Sequence, residues 1–406
     1  MKTYASIKKD PQIFKFSMYG FLKNLKFFEP YLIIYLLSFN ISLFQIGILY
    51  SIREIITYIF EIPSGIIADQ YGKKNELMLC FVFYIISFVL FFIGAKYSII
   101  IIAMIFFGLG EAFRSGTHKS MILAYLERND WFSHKAFVYG RTRSFSLLGS
   151  SLSSFVSIIF ILSLPATRWI FIITIVPYIL DFFLIYSYPS YLNEKKINTF
   201  NLIEFFNLLK TYIKSIFKQK FLLKIILSSS SYDALFKTIK DYIQPILLIL
   251  LVTNSDTRIK VYLGIIYGVF YIFSSFASKN VFRIVNKIPS INLMNSSYFV
   301  QGIGMLSIAM TIYFKWPLLS VIIFFVLYVL KDARRPVFVD LSSDHMKKSE
   351  RATVLSVESQ FRSIIIIIIA PLFGYLSDAL GLDFAFISFG FLTIALNVIL
   401  HLRNSN

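Results

Sequence analysis

Apolar residues in this chain gather into long runs separated by short polar turns. Runs of spanning length lie near residues 14–39, 44–68, 77–95, 98–124, 138–164, 168–187, 221–252, 259–280, 290–313, 316–339, 353–376 and 383–402. A helix needs about 20 apolar residues to cross a bilayer, so the pattern predicts twelve crossing helices and little room for a separate soluble domain. Charges interrupt several runs. Hydropathy alone is expected to miss the first, fourth, seventh and tenth, which spacing and an internal repeat recover.

The longest polar interval runs from Tyr188 to about Lys220. It carries Glu194, Lys195, Lys196, Lys210, Lys214, Lys218 and Lys220, with Leu202, Phe205, Phe206, Leu209, Ile213 and Phe217 at helical spacing. That reads as an amphipathic helix lying on the inner membrane face. The expected organisation is an N-terminal six-helix half (1–187), a cytoplasmic linker (188–220) and a C-terminal six-helix half (221–406). The halves echo one another. Lys23-Asn-Leu-Lys26 before Pro30 answers Lys237-Thr-Ile-Lys240 before Pro245, Glu111-Ala-Phe-Arg114 answers Asp332-Ala-Arg-Arg335, and Tyr58-Ile-Phe60 answers Tyr271-Ile-Phe273. Duplication of this kind in a polytopic chain points to a carrier whose substrate site lies between two rocking halves.

Composition narrows the class. The 406 residues are 57% hydrophobic and only 15% charged, with 45 Phe and 25 Tyr and a mean hydropathy of +0.71, which excludes a soluble globular protein. The net charge of +18 would suggest nucleic acid in a soluble protein; here its distribution is what counts, and no nucleic-acid partner is expected. Proposed cytoplasmic loops and tails hold roughly 21 Lys and Arg against roughly 5 outside, which puts both termini in the cytoplasm by the positive-inside criterion. The basic start, Met1 to Lys15, reads as a cytoplasmic tail rather than a cleavable signal. A Lys- and Ile-rich composition suggests an AT-rich bacterial genome and hence an inner membrane. Cys80 is the single cysteine, so an internal disulfide is excluded, and His118, His134, His345 and His401 make no metal-ligand cluster. No cofactor is expected. The chain lacks a phosphate-cradling G-x-x-x-x-G-K-[ST] loop and any nucleophile–base constellation, so it is expected to be no enzyme, to act as a monomer, and to draw on an ion or substrate gradient.

The second helix ends Glu61-Ile-Pro63-Ser-Gly65-Ile-Ile-Ala-Asp69-Gln-Tyr-Gly72-Lys73-Lys74. This resembles the signature loop of the major facilitator superfamily, G-x-x-x-D-R-x-G-R-R, with Gly65, Asp69, Gly72, Lys73 and Lys74 in register. Gly65 would permit close helix approach, Gly72 a tight turn, and the lysines would anchor the loop inside. The resemblance implies an all-α fold of twelve transmembrane helices in two pseudo-symmetric halves, rocker-switch transport, and Asp69 as a cytoplasmic gate with Arg351 or the neighbouring helix end as its partner. Gln70 departs from the family pattern, which puts in doubt an ion pair from that position. Gly374-x-x-x-Asp378-x-x-Gly381 repeats the spacing near the end of the eleventh helix.

Ionisable groups at membrane depth cost several kcal/mol unless paired or facing water. They concentrate in helices 1, 2, 4, 5, 7, 10 and 11, with Asp181 an exception in helix 6. Lys26 with Glu29, Glu111 with Arg114, Lys237 with Asp241, Asp332 with Arg335 and Glu358 with Arg362 stand three or four residues apart and are expected to neutralise one another. Lys23, Arg53, Lys119, Arg141 and Arg143 lack such a neighbour. A positive cavity follows if several face it, and with it a small anionic substrate held by Lys23, Lys26, Arg53, Arg114, Lys237 and Lys240. Glu61, Glu111 and Glu54 are the candidates for carrying a coupling proton. Tyr19, Tyr35, Tyr58, Tyr232 and Tyr242 are candidates to line a binding pocket, though such aromatics are more often lipid-facing or interfacial; His118 reads as a packed, hydrogen-bonded residue ahead of a pH-sensitive cavity residue. The alternative is proton-coupled multidrug efflux of hydrophobic compounds, favoured by Ser115-Gly116-Thr117 but not by the fifth helix, which lacks the G-x-x-x-G-P-x-x-G antiporter pattern. A membrane-bound binding protein without turnover is the alternative from another class.

Overall fold

The computed structural model describes residues 2–94, 96–193, 219–251, 255–285, 287–343 and 351–403. Helix dominates, and no strand occurs among these residues. The elements are α1 (Lys2–Lys9), α2 (Pro11–Lys23), a 3-10 turn (Glu29–Tyr31), α3 (Leu32–Leu37), α4 (Leu43–Tyr71), α5 (Lys73–Ile93), α6 (Tyr97–Arg114), α7 (Thr117–Arg128), α8 (Lys135–Ser163) and α9 (Trp169–Tyr186). There follow α10 (Lys220–Ile239), α11 (Ile243–Leu250), α12 (Asp256–Val285), α13 (Ser290–Tyr313), α14 (Pro317–Ser343), α15 (Arg351–Leu380) and α16 (Leu382–Ile399). The amphipathic linker helix expected over 202–217 lies outside the described residues.

Pairing α2 with α3, α6 with α7 and α10 with α11 gives twelve crossings, as expected. Among the described residues, eight segments are long and apolar enough to span by themselves. The fourth crossing, Tyr97–Arg128, is one of them, against expectation. Its first 18 residues, α6, contain only two charges, Glu111 and Arg114. The ninth, α13, falls short instead, because Asn292, Asn295, Ser296, Ser297 and Gln301 dilute it. The first and seventh are each broken in the middle.

Capping chemistry starts the helices where the chain turns. Asp10 accepts the Ile13 amide at 2.8 Å with Pro11 in the first turn of α2, and Ser42 and Gln45 exchange side-chain bonds at 3.0 and 3.3 Å ahead of α4. Gly72 and Gly381 begin α5 and α16 at φ +98° and +99°. With ψ of 138° and 155°, this is backbone essentially reserved for glycine.

Chain contacts define two compact units, each discontinuous in sequence. The first comprises residues 1–35, 52–198 and 260–272. Its core is aromatic: Phe28 and Phe91 stack on Phe171 at 5.1 and 5.0 Å, and Phe88 meets Tyr178 edge-on at 4.8 Å. Here α2 lies tight against α8, since a Cβ on Gly149 would strike the Phe21 main chain. The second unit comprises residues 36–51, 199–259 and 273–406. Ile225, Val281, Met294, Val337, Phe338, Leu341 and Leu402 fill part of its core, and Asn295 clips the chain end by accepting the Leu402 amide at 3.0 Å and donating to the Leu402 carbonyl at 2.8 Å.

Tyr19, Tyr35, Tyr232 and Tyr242 are buried, none more than 3% exposed, and not lipid-facing as expected; Tyr58 alone is exposed. The reason is partnership: Tyr19 stacks on His118 at 3.7 Å and Tyr242 packs edge-on to Phe373 at 4.6 Å. Tyr35 donates to the Phe91 carbonyl.

Candidate functional site

The first unit gathers its charges around a break. α2 stops at Lys23, and the chain does not resume helical geometry until Glu29. A helix end leaves carbonyls without intrahelical partners, and at membrane depth each must find one. The Tyr178 hydroxyl on α9 donates to the Lys23 carbonyl at 3.0 Å, and the Asn24 side-chain amide donates back to the Gly20 carbonyl at 2.6 Å. Beside this break, Glu111 on α6 receives the Arg114 guanidinium at 2.5 Å, the Tyr84 hydroxyl at 2.7 Å and the Lys26 ammonium at 3.6 Å. Arg114 also donates to the Tyr84 hydroxyl at 3.3 Å. The Lys23 ammonium sits 5.5 Å from the Tyr19 ring and has no hydrogen bond or ion pair among the described residues. His118 packs as expected, stacked on Tyr19 with Nε2 3.3 Å from the Tyr188 hydroxyl.

The structure therefore brings together Lys23, Lys26, Glu111 and Arg114. Lys26 reaches Glu111 rather than its expected neighbour Glu29, because residues 24–28 are not helical and the i, i+3 geometry is lost between them. Arg53 has an acidic partner after all, the adjacent Glu54 at 3.1 Å. Glu54 is 3% exposed, and a buried carboxylate draws in the nearest long cationic arm. Glu61 accepts the Ser115 hydroxyl at 2.8 Å. Lys119 accepts the Tyr139 hydroxyl on its carbonyl, while Arg141 is tied to the Lys8 carbonyl at 2.8 Å and Arg143 is exposed.

Ser115-Gly116-Thr117 marks a second break, between α6 and α7, with Gly116 at φ +80°. Its two hydroxyls are committed to carboxylates: Ser115 to Glu61, and Thr117 to the buried Glu76 at 2.5 Å.

The second unit repeats the first break in its own chemistry. α10 ends at Ile239 and α11 begins at Ile243, just after the Lys237-x-x-Lys240 pair, and the Tyr328 hydroxyl donates to the Lys240 carbonyl at 3.2 Å. Lys237 lies in the last turn of α10, and Lys240 pairs with Asp241 at 2.8 Å. Asp332 pairs with its neighbour Lys331 at 3.1 Å. Arg335, expected on Asp332, turns to the fully buried Glu358 at 2.9 Å and to Asp233 at 3.8 Å. Arg362 approaches the same two carboxylates at 3.4 and 3.9 Å, confirming the pairing with Glu358. This quartet is balanced. Arg334, 4% exposed, is held by neutral groups: the Ser297 hydroxyl at 3.1 Å, the Ser228 hydroxyl at 3.1 Å and the Tyr232 face at 4.1 Å.

In the expected gate, Gly72 makes its turn against Asn193, whose Oδ1 accepts the Lys74 and Asn75 amides at 3.0 and 3.4 Å. Lys73 opens α5, and the Lys74 ammonium donates to the Tyr188 carbonyl at 3.2 Å. A Cβ on Gly65 would meet nothing within 4 Å, so the expected close approach is absent there. It occurs in the repeated copy. A Cβ on Gly374 would strike the Leu43 carbonyl and come within 2.8 Å of the Phe44 Cα, and Asp378 caps α4 by accepting the Leu43 and Phe44 amides at 3.1 and 2.7 Å. The side chains of Asp69 and Arg351 lie outside the described ones.

Sequence reasoning missed Asn193, Glu76 and Asp181 as site residues. Asn193 closes a short 3-10 turn, Ser190–Asn193, beyond α9 and carried no signal in the sequence. Asp181 did: it is the one acid in an otherwise apolar stretch, Trp169–Tyr186. It is 0% exposed, and neither carboxyl oxygen has a hydrogen-bond partner among the described residues.

Comparison with known proteins fits this architecture. The chain is 24% identical over 369 residues to the uncharacterized MFS-type transporter YxaM of Bacillus subtilis (strain 168), covering 89% of this chain and 87% of the relative. Its fold resembles the nucleoside transporter NupG, in a point-mutant form, with a TM-score of 0.78 at 12% identity over 96% of this chain and 98% of the other. It also resembles a D-xylose-proton symporter, with a TM-score of 0.75 at 13% identity over 96% of each chain. The profile of the Major Facilitator Superfamily matches residues 24–357, and with its broken first and seventh helices and its duplicated glycine–aspartate turn, the chain belongs to that superfamily of membrane transporters.

Proposed function

We propose that this secondary transporter moves a small anionic solute by alternating access, with Lys23 as the group that holds the anion and Lys26 and Arg114 beside it. The observation that carries the reading is the Lys23 ammonium at a helix break, half-buried and without an ion pair among the described residues, next to two further cations that share one carboxylate. Discontinuous helices are where secondary transporters hold substrate, and a desolvated ammonium gains most from an anionic partner. Arg53, Lys237 and Lys240 remain secondary candidates for the same task, each with a neighbouring acid or a place at the break between α10 and α11. Lys73 and Lys74 with the Gly72 turn, and Asp69 with Arg351, form the proposed gate. The protein is proposed as a monomer of the inner membrane with both termini in the cytoplasm, and residues 1–187 and 221–406 as the two repeats joined by a cytoplasmic linker.

Counterflow in proteoliposomes tests the cargo class. Inorganic phosphate and glucuronate serve as anionic probes, with a nucleoside and D-xylose, the cargo named for the structural neighbours, as neutral ones and a lipophilic cation as the drug-like one. Exchange of an anion, lost at least tenfold in Lys23→Gln, is the expected result. Exchange of neutral solutes alone overturns the anion, and export of the lipophilic cation moves the assignment to drug efflux.

A further inference from the structure

Four acids of the first unit that face the helix interior have direct partners: Glu54 has Arg53, Glu61 has the Ser115 hydroxyl, Glu76 has the Thr117 hydroxyl, and Glu111 has Arg114, Lys26 and Tyr84. Asp181 does not. It lies on α9, three residues after Tyr178, so both project from one face of that helix, and Tyr178 is bonded to the Lys23 carbonyl. The groups that bear on Asp181 are Lys23 and Tyr19 from α2, Cys80 from α5, Tyr178 from α9 itself, and Tyr188 just beyond it. Lys23 is the one cation among them, and α8, the remaining helix on α9, contributes no titratable group to this set.

A carboxylate sealed from water with neither oxygen bonded costs several kcal/mol at membrane depth. Two things relieve that cost: a proton on the carboxyl, or the Lys23 ammonium brought onto it. The same ammonium is the group proposed above to hold the substrate anion. We infer that Asp181 is the proton-binding site of this transporter, and that proton and anion are coupled because the anion takes Lys23 from Asp181 while the proton takes Asp181 from Lys23, so each frees the partner of the other.

The inference rests on Lys23 as the anion-holding group. In the proposed cycle the cargo-free protein moves the Lys23 ammonium, which the structure shows without an ion pair among the described residues, onto ionised Asp181 to form an ion pair. Anion entry takes the ammonium, and Asp181 accepts one proton from solvent; an ion pair to the anion and a neutral acid replace the original pair, so charge balances at one proton per monovalent anion. When the anion leaves, Lys23 returns to Asp181 and the proton goes to solvent on the same side. The arrangement makes the protein a proton–anion symporter rather than an exchanger. The expected proton carriers Glu54, Glu61 and Glu111 would have to break existing bonds to do this.

Infrared difference spectroscopy of the full-length protein in lipid, recorded between acidic and alkaline buffers, reads protonated carboxyls without needing the substrate. A carboxylic-acid band that titrates, that disappears in Asp181→Asn, persists in Glu111→Gln and returns at a new position in Asp181→Glu is expected. Its titration should be displaced in Lys23→Gln. A band unchanged in Asp181→Asn, no titrating band at all, or one indifferent to Lys23→Gln overturns the inference. The transport arm uses inorganic phosphate and glucuronate in vesicles with and without an inside-alkaline pH gradient. The gradient should accelerate wild-type uptake several-fold and Asp181→Asn uptake not at all; equal acceleration in both overturns it. If instead the Asp181 band behaves as expected while no anion is carried, the cargo assignment fails and the proton site stands.

Discussion

The hydroxyl of Tyr178 is bonded to the main-chain carbonyl of Lys23 at 3.0 Å, so a side chain of the sixth crossing closes the hydrogen-bond account of a break in the first. Replacing that hydroxyl leaves a buried acceptor unsatisfied, a cost of about 1–3 kcal/mol. Tyr178→Phe should lower the thermal unfolding midpoint of the detergent-purified protein and reduce substrate exchange, while keeping the aromatic packing against Phe88. An unchanged midpoint would mean that the carbonyl finds another donor.

Glu358 is fully buried between Arg335 and Arg362. Removing one member of a buried ionic cluster typically costs about 3–5 kcal/mol, because the remaining charges are left uncompensated. Glu358→Gln should therefore express poorly or melt early. Adding Arg335→Gln restores the balance by leaving Asp233 to Arg362, and the double variant should recover part of the loss. A double variant no better than the sum of the two singles would show that the quartet does not act as a unit.

Asp378 takes the two leading amides of α4, and its negative charge meets the positive end of that helix. Asp378→Ala should cost about 1 kcal/mol, and Asp378→Asn less, since an amide oxygen still accepts. Gly374→Val should do more harm than either, because its side chain would overlap the Leu43 main chain. Thermal shift of the three variants orders them; an Asp378→Ala protein as stable as wild type would remove the cap from the account.

Gly116 at φ +80° separates the hydroxyls that hold Glu61 and Glu76. Gly116→Ala meets no steric neighbour, so its expected cost, about 1–3 kcal/mol, is conformational alone. Ser115→Ala should instead leave the turn and the thermal midpoint nearly intact and lower substrate exchange, since it removes one hydroxyl donor from Glu61. If the two variants have the same phenotype, the break and the carboxylate contacts are inseparable.

The periodic lysines and prolines were legible as a repeat, and they proved to mark the breaks in the first and seventh crossings. Runs of apolar residues revealed the crossings because lipid enforces helix wherever the chain spans. Which charge meets which was only partly legible. Glu111 with Arg114 and Glu358 with Arg362 follow from spacing on a regular helix, whereas Lys26 with Glu111 and Arg335 with Asp233 join residues on different segments of the chain. Periodicity along one helix does not encode such contacts. Arg334 was visible as a charge, but its neutral cradle of Ser228, Ser297 and Tyr232 depends on packing that no local pattern announces. Asp181 is legible in sequence as the one acid of its helix, but that both its oxygens are buried without a bonded partner depends on packing that the sequence pattern does not carry.

The paired turns at Gly72 and Gly381 share one backbone conformation three hundred residues apart in the chain, about as closely as two copies of a part can. At both codons every missense change installs a side chain where the main chain excludes one. In a saturation-mutagenesis screen these two columns should stand empty, while Gly65, equally part of the signature, should tolerate small replacements in the fold described here.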